Sequence, residues 1–142
     1  MVFFLNFACV MKHQDYVTDA IDLLCALINT PSVSREEKDA ADLMEQRMKS
    51  YGLAPHREAN NLWLMADGYD EQKPTLLLNA HIDTVKPAIS WTRDPFRASV
   101  EDDRIYGLGS NDCGGGLTTL LQVFRFLSLR PQPYNIIYLA SA

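Results

Sequence analysis

Two largely apolar runs flank an apolar helical stretch, and this arrangement limits the fold more than any other feature of the chain. Thr75 to Ala80 (TLLLNA) and Asn135 to Ala140 (NIIYLA) read as strands, and Leu117 to Leu129 between them reads as a helix. Consecutive apolar residues suit a strand buried on both faces, as in parallel sheets, rather than one with a wet side. The helix is apolar on one side through Leu117, Leu120, Leu121, Phe124 and Leu127, and Pro131 and Pro133 end it. Upstream, Val17, Ile21, Leu24 and Leu27 or Ile28 recur at helical spacing, and Asn29-Thr30-Pro31 closes that segment. Ser34-Arg35-Glu36-Glu37 reads as a capping box for a second helix carrying Ala41, Met44 and Met48 on one side and stopping at Gly52. Leu62 to Ala66 and Arg104 to Tyr106 read as short strands, the latter behind the turn Glu101-Asp102-Asp103. Helices alternating with apolar strands predict an α/β sandwich with at least some parallel pairing.

The balance of 18 acidic against 13 basic residues, a net charge of −5, argues against nucleic acid or an anionic membrane as the main partner. It leaves a small-molecule partner open. Cys9, Cys25 and Cys113 are odd in number and widely spaced, which fits a reducing cytoplasm better than a disulfide framework. The apolar start is too short to span a bilayer and lacks the basic flank of a signal peptide. Residues 1–13 are therefore set aside as a leader, spurious or disordered, and residues 14–142 as one domain. The chain stops at Ser141-Ala142, directly after a core strand, which reads as the N-terminal part of something longer.

The first strand runs into His81 and, two residues on, Asp83. Ionisable groups at such a point are costly unless paired or bound to something. Residues i and i+2 of a strand share a face, and ligands of open α/β sheets gather at the carboxyl ends of the strands. A neutral imidazole there suits zinc, with a nearby carboxylate fixing its tautomer. Asp112, in the glycine-rich stretch GLGSNDCGGG, has two oxygens with which to bridge two cations. Taken locally, a surface histidine and a helix-capping aspartate are the simpler readings. A dinucleotide fingerprint fits worse, because Asp112 occupies its third glycine position and would repel a pyrophosphate. An iron facial triad needs a histidine downstream, and His13 and His56 both lie upstream. Cys113 has no neighbouring histidine in sequence to activate it.

Taken in order, HIDTV, WTRDPF and IYGLGSNDCGGG ahead of an apolar helix resemble the zinc-dependent exopeptidase and amidohydrolase family. That family includes acetylornithine deacetylase, succinyl-diaminopimelate desuccinylase, aminoacylase and glutamate carboxypeptidase. The resemblance runs from about residue 15 to the last residue, with Asn111-Asp112 and the glycine run most similar to the acetylornithine deacetylase branch. It implies an incomplete three-layer sandwich, a mixed and partly parallel sheet with helices on both faces. It implies His81 and Asp112 as metal ligands, Asp112 bridging two Zn2+ ions (Co2+ or Mn2+ as alternatives), and Asp83 as the carboxylate that orients His81. The bond from Asp112 to Cys113 falls where the family has a cis peptide, and Gly114 stands where many members carry lysine. The implied substrate is a small N-acyl amino acid or peptide, cleaved at its amide by a metal-activated water. The glutamate base, the remaining ligands and an inserted dimerisation domain lie beyond this chain in the family pattern, so the chain alone is expected to be inactive. The rival reading is a metal-free binding or regulatory domain, with His81 and Asp112 in structural roles.

Overall fold

The structure, a computed structural model, describes residues 12–142. Of the segment set aside as a leader, residues 1–11 lie outside the described residues, whereas His13 already opens the first helix. The elements in order are α1 (His13–Ile28), α2 (Lys38–Ser50), β1 (His56–Glu58), β2 (Asn61–Met65) and β3 (Thr75–His81). They continue with β4 (Ser99–Glu101), β5 (Arg104–Tyr106), α3 (Gly115–Leu127) and β6 (Asn135–Ser141). A turn at Ser110–Gly114 leads into α3.

The main sheet has the order β1-β2-β6-β3, and β4 and β5 form a separate hairpin. β3 pairs with β6 in parallel, Leu76 beside Ile136, Leu78 beside Tyr138 and Ala80 beside Ala140. β2 runs antiparallel to β6, which makes the sheet mixed. The parallel pair requires a crossover, and α3 supplies it. Its apolar side faces the sheet: the Tyr138 hydroxyl donates to the Leu117 carbonyl at 2.9 Å, and the Phe124 and Tyr138 rings lie 6.4 Å apart. Burying a phenol is tolerable because its hydroxyl is satisfied this way.

Among the described residues one core unites α1, α2 and α3 with one face of the sheet. Leu23 of α1, Ala41, Met44 and Met48 of α2, and Leu117, Leu121 and Phe124 of α3 pack with Leu62, Leu64, Ile136, Tyr138 and Ala140. The α/β class and the mixed, partly parallel sheet agree with the expectation from sequence. Among the described residues, however, the helices cover one face, and the second helical layer is not among them. Among the described residues nothing covers the opposite face, with Met65 and Leu77, and Leu77 is 53% exposed. The three leucines of β3 are thus not buried on both sides as the sequence suggested, because alternate residues of a strand face opposite ways and only one side is covered.

α2 departs from its expected start. Glu37, not Ser34, occupies the N-cap, and Glu37 is itself buried, accepting from the Arg35 amide and from Asn60 Nδ2. α1 is also rotated from its simple stripe: Leu23, Leu24 and Ile28 are buried, while Val17 and Ile21 stay partly exposed beside α3. The stop at Gly52 is as expected, with φ of 77° and its amide bonded to Lys49 O at 2.9 Å. Among the described residues no helix is long and apolar enough to cross a membrane.

Candidate metal centre

His81 ends β3, so its ring emerges where the parallel strand stops. The turn Ser110–Gly114 brings Asp112 to the same edge from the start of the crossover helix. His81 Nε2 lies 3.0 Å from Asp112 Oδ1. The other ring nitrogen, Nδ1, lies 2.8 Å from the Asp83 carbonyl oxygen and 3.1 Å from Asp83 Oδ1. The two aspartates therefore address the imidazole from opposite nitrogens. An Nδ1–H directed at Asp83 selects the tautomer whose Nε2 lone pair faces Asp112.

Asp83 is held in turn from a segment that sequence reasoning assigned otherwise. The Ser34 hydroxyl donates to Asp83 Oδ2, so Ser34 orients a carboxylate instead of capping α2. Residues 32–34 run beside 82–84, with Thr84 N bonded to Ser32 O at 2.8 Å and Ser34 N to Thr84 O at 3.0 Å. Ser34 and Asp83 are 49 positions apart, and no local pattern joins them.

The glycines have a steric role in the turn. Gly109 has φ of 77°, and a Cβ there would stand 2.6 Å from Thr84 Cγ2. At Gly114 a Cβ would stand 2.7 Å from the Gly109 carbonyl oxygen. A side chain at Gly114, where the resemblance would have many relatives carry lysine, would therefore meet the backbone of Gly109. The Asp112–Cys113 peptide is cis, at the bond the resemblance indicated. Asp112 does not cap α3: Gly114 is the N-cap, and no side chain bonds there. Asp112 instead projects outward, its side chain 88% exposed.

This arrangement favours a positive charge between Nε2 and Asp112. Partial burial pulls the His81 pKa down, but the Asp112 hydrogen bond, the Asp83 carbonyl and both carboxylate charges outweigh it and raise the pKa above its usual value. A raised folded-state value means that the protonated imidazole stabilises the fold below the unfolded pKa of about 6.5. That contribution is lost as pH rises through the folded value. An NMR titration of the metal-free chain is expected to give a His81 midpoint above about 6.5; a midpoint at or below it would contradict the geometry.

A metal ion is the other cation this donor set suits. The nearest potential ligand atoms of His81, Asp112 and Cys113 all lie within 4.8 Å of one another, and imidazole and carboxylate are donors zinc accepts, while the Cys113 sulfur is engaged by the His81 backbone. Two ligands of a tetrahedral zinc stand about 3.3 Å apart for bonds of about 2.0 Å, close to the 3.0 Å between Nε2 and Oδ1. The Cys113 thiol is pushed up by burial and by the carboxylates of Asp112 and Asp83, which disfavours a free thiolate nucleophile. Beside these groups opens a cleft of about 270 Å³, walled by Val85, Trp91 and Gly109. Larger hollows lie under the β3 entry turn and between α1 and α3, about 350 and 520 Å³, but neither gathers such a ligand set.

The sequence model of Peptidase family M20/M25/M40 matches residues 77–142, the stretch that contains His81, Asp83 and Asp112. Succinyl-diaminopimelate desuccinylase of Blochmanniella floridana is 33% identical over 127 residues, covering 84% of this chain and 33% of that protein. The Xylella fastidiosa desuccinylase is 28% identical over 123 residues, covering 82% of this chain and 32% of its own length. These relatives are desuccinylases and not the acetylornithine deacetylase branch toward which Asn111-Asp112 pointed. The chain spans about a third of the length of these curated relatives. Among solved structures, the M20 family metallo-carboxypeptidase Sso-CP2 from Sulfolobus solfataricus superposes with a TM-score of 0.70 at 22% identity, covering 87% of this chain and 30% of that one. Bacillus subtilis YXEP protein, a dinuclear metal binding peptidase from the M20 family, gives 0.64 at 16% identity, covering 89% and 35%. Over residues 77–142 the chain matches Peptidase family M20/M25/M40 by sequence, and over most of its length it shares the fold of solved M20 peptidases.

Proposed function

We propose that this chain is the N-terminal part of the catalytic domain of a metal-dependent hydrolase that cleaves the amide bond of an N-acyl amino acid or small peptide. The observation that carries the reading is the opposed pair of carboxylates on His81, with Nε2 facing Asp112 at 3.0 Å and Nδ1 facing Asp83. His81 and Asp112 are assigned as metal ligands, and Asp83, steadied by Ser34, as the carboxylate that holds the imidazole in its ligating tautomer. The open carboxylate of Asp112 suits it to bridge two ions, for which zinc is the first candidate. When bound, the metal supplies an activated water and a polarised carbonyl. The cleft beside Trp91 and Val85 would receive the acyl or amino-acid portion of the substrate. Because the chain spans a third of its relatives, the general base and further ligands implied by the resemblance are assigned to sequence outside it. The metal-free alternative loses its main support, since it needed Asp112 as a helix cap.

Calorimetric titration of the chain with Zn2+ tests the reading. Saturable binding is expected, accompanied by proton release that grows as pH falls toward and below the His81 pKa, because the metal must displace that proton. A titration without saturable binding would sink the proposal.

A further inference from the structure

Asp112 projects from an irregular turn, and its side chain is mostly exposed, so its placement needs an anchor. The neighbouring residue provides one. In a parallel ladder, successive residues direct their backbone groups alternately to the two sides of the strand. Ile82 N donates to Ser141 O at 2.7 Å, so residue 82 faces β6 and the backbone groups of His81 face away from it. Among the described residues β3 is the last strand of the sheet, and these groups would otherwise form a free edge. Instead, His81 N donates to Cys113 Sγ at 3.1 Å, and the Cys113 thiol donates to His81 O at 3.3 Å. A single side chain thus takes both backbone groups of one residue, as a neighbouring strand would. A thiol is suited to this because it is both a weak donor and a weak acceptor.

We propose that Cys113 is a positioning residue that latches the Asp112 turn onto the edge of β3 and thereby keeps Asp112 within reach of His81. The latch joins the backbone of one proposed ligand to the residue adjoining the other, so the separation of the two side chains depends on it. Its consequence for metal rests on the reading of His81 and Asp112 given above, but the latch itself does not. Leucine or alanine at this position would fill space without bonding the strand edge, whereas serine keeps a donor and an acceptor.

Two measurements on the full chain decide the matter. By hydrogen exchange in the metal-free chain, the His81 amide should be protected well beyond those of Leu77 and Asn79, which face the same outer edge. Equal exchange at all three would overturn the latch. In Zn2+ titrations, Cys113→Ala should weaken binding by about 10-fold or more, the usual cost of losing a group that supports a ligand. Cys113→Ser should recover most of that loss. Wild-type affinity in Cys113→Ala, or no recovery in Cys113→Ser, would overturn the proposal. His81→Ala serves as the control: unchanged Zn2+ binding there would refute the metal reading, while the amide exchange would still decide the latch. Were Cys113→Ala not to fold, the exchange measurement on the unmodified chain would decide it alone.

Discussion

His81→Ala and Asp112→Ala are each expected to lower the Zn2+ affinity of the chain by more than about 100-fold, exceeding the 10- to 100-fold that follows loss of a supporting group. The reasoning is geometric. Nε2 and Oδ1 stand 3.0 Å apart with the ring held from its far side by Asp83, so a cation between them is met from two directions. Removing either partner leaves a lone donor, His81 at a strand end or Asp112 in an exposed turn, a common feature with no particular affinity. Asp83→Asn should cost less, about 10- to 100-fold, because it weakens the grip on Nδ1 without removing a donor to the metal. Calorimetric titration reads all three, with circular dichroism showing that each variant is folded. A His81→Ala chain that binds Zn2+ as the parent does would remove His81 from the ligand set.

Phe124→Ala should destabilise the chain by about 3–5 kcal/mol, the range for emptying a buried aromatic site. Phe124 is 2% exposed and packs on Tyr138 within the core. That loss is a large share of the roughly 5–15 kcal/mol available to a small domain, so the urea midpoint should fall steeply. Leu77→Ala offers the contrast. Leu77 belongs to the same leucine run as the core-facing Leu78 but points to the open face at 53% exposure. Its replacement should change stability by only about 0.5 kcal/mol. Similar losses at both positions would mean that the open face is covered in solution.

That contrast shows what the pattern of residues conveys and what it leaves out. TLLLNA and NIIYLA were legible as strands because consecutive apolar residues of that length have few alternatives. The helix between them was legible because its apolar residues recur at helical spacing. Which faces would be covered was not legible, since a run of leucines looks alike whether one side or both are buried. Ser34-Arg35-Glu36-Glu37 carries the signature of a cap, yet Ser34 turns to Asp83, drawn there by a backbone pairing of residues 32–34 with 82–84. A contact across 49 residues leaves no trace in local spacing. β1 and β4, three residues each, were too short to show a period.

His81, Asp83 and Asp112 could be named because HIDTV, WTRDPF and IYGLGSNDCGGG in that order resemble a known family; taken locally they read as a surface histidine and a helix cap. The chain's own residues thus determined its α/β class and some parallel pairing, since these depend on local pattern, while its candidate ligands came from the resemblance of three ordered motifs. Only the tertiary structure decided that the two aspartates meet opposite nitrogens of one ring, that Ser34 steadies one of them, and that Cys113 fastens the other to the strand edge. Those are distances between segments brought together by folding, and distance in space is set by how helices and strands pack and not by which residues follow one another.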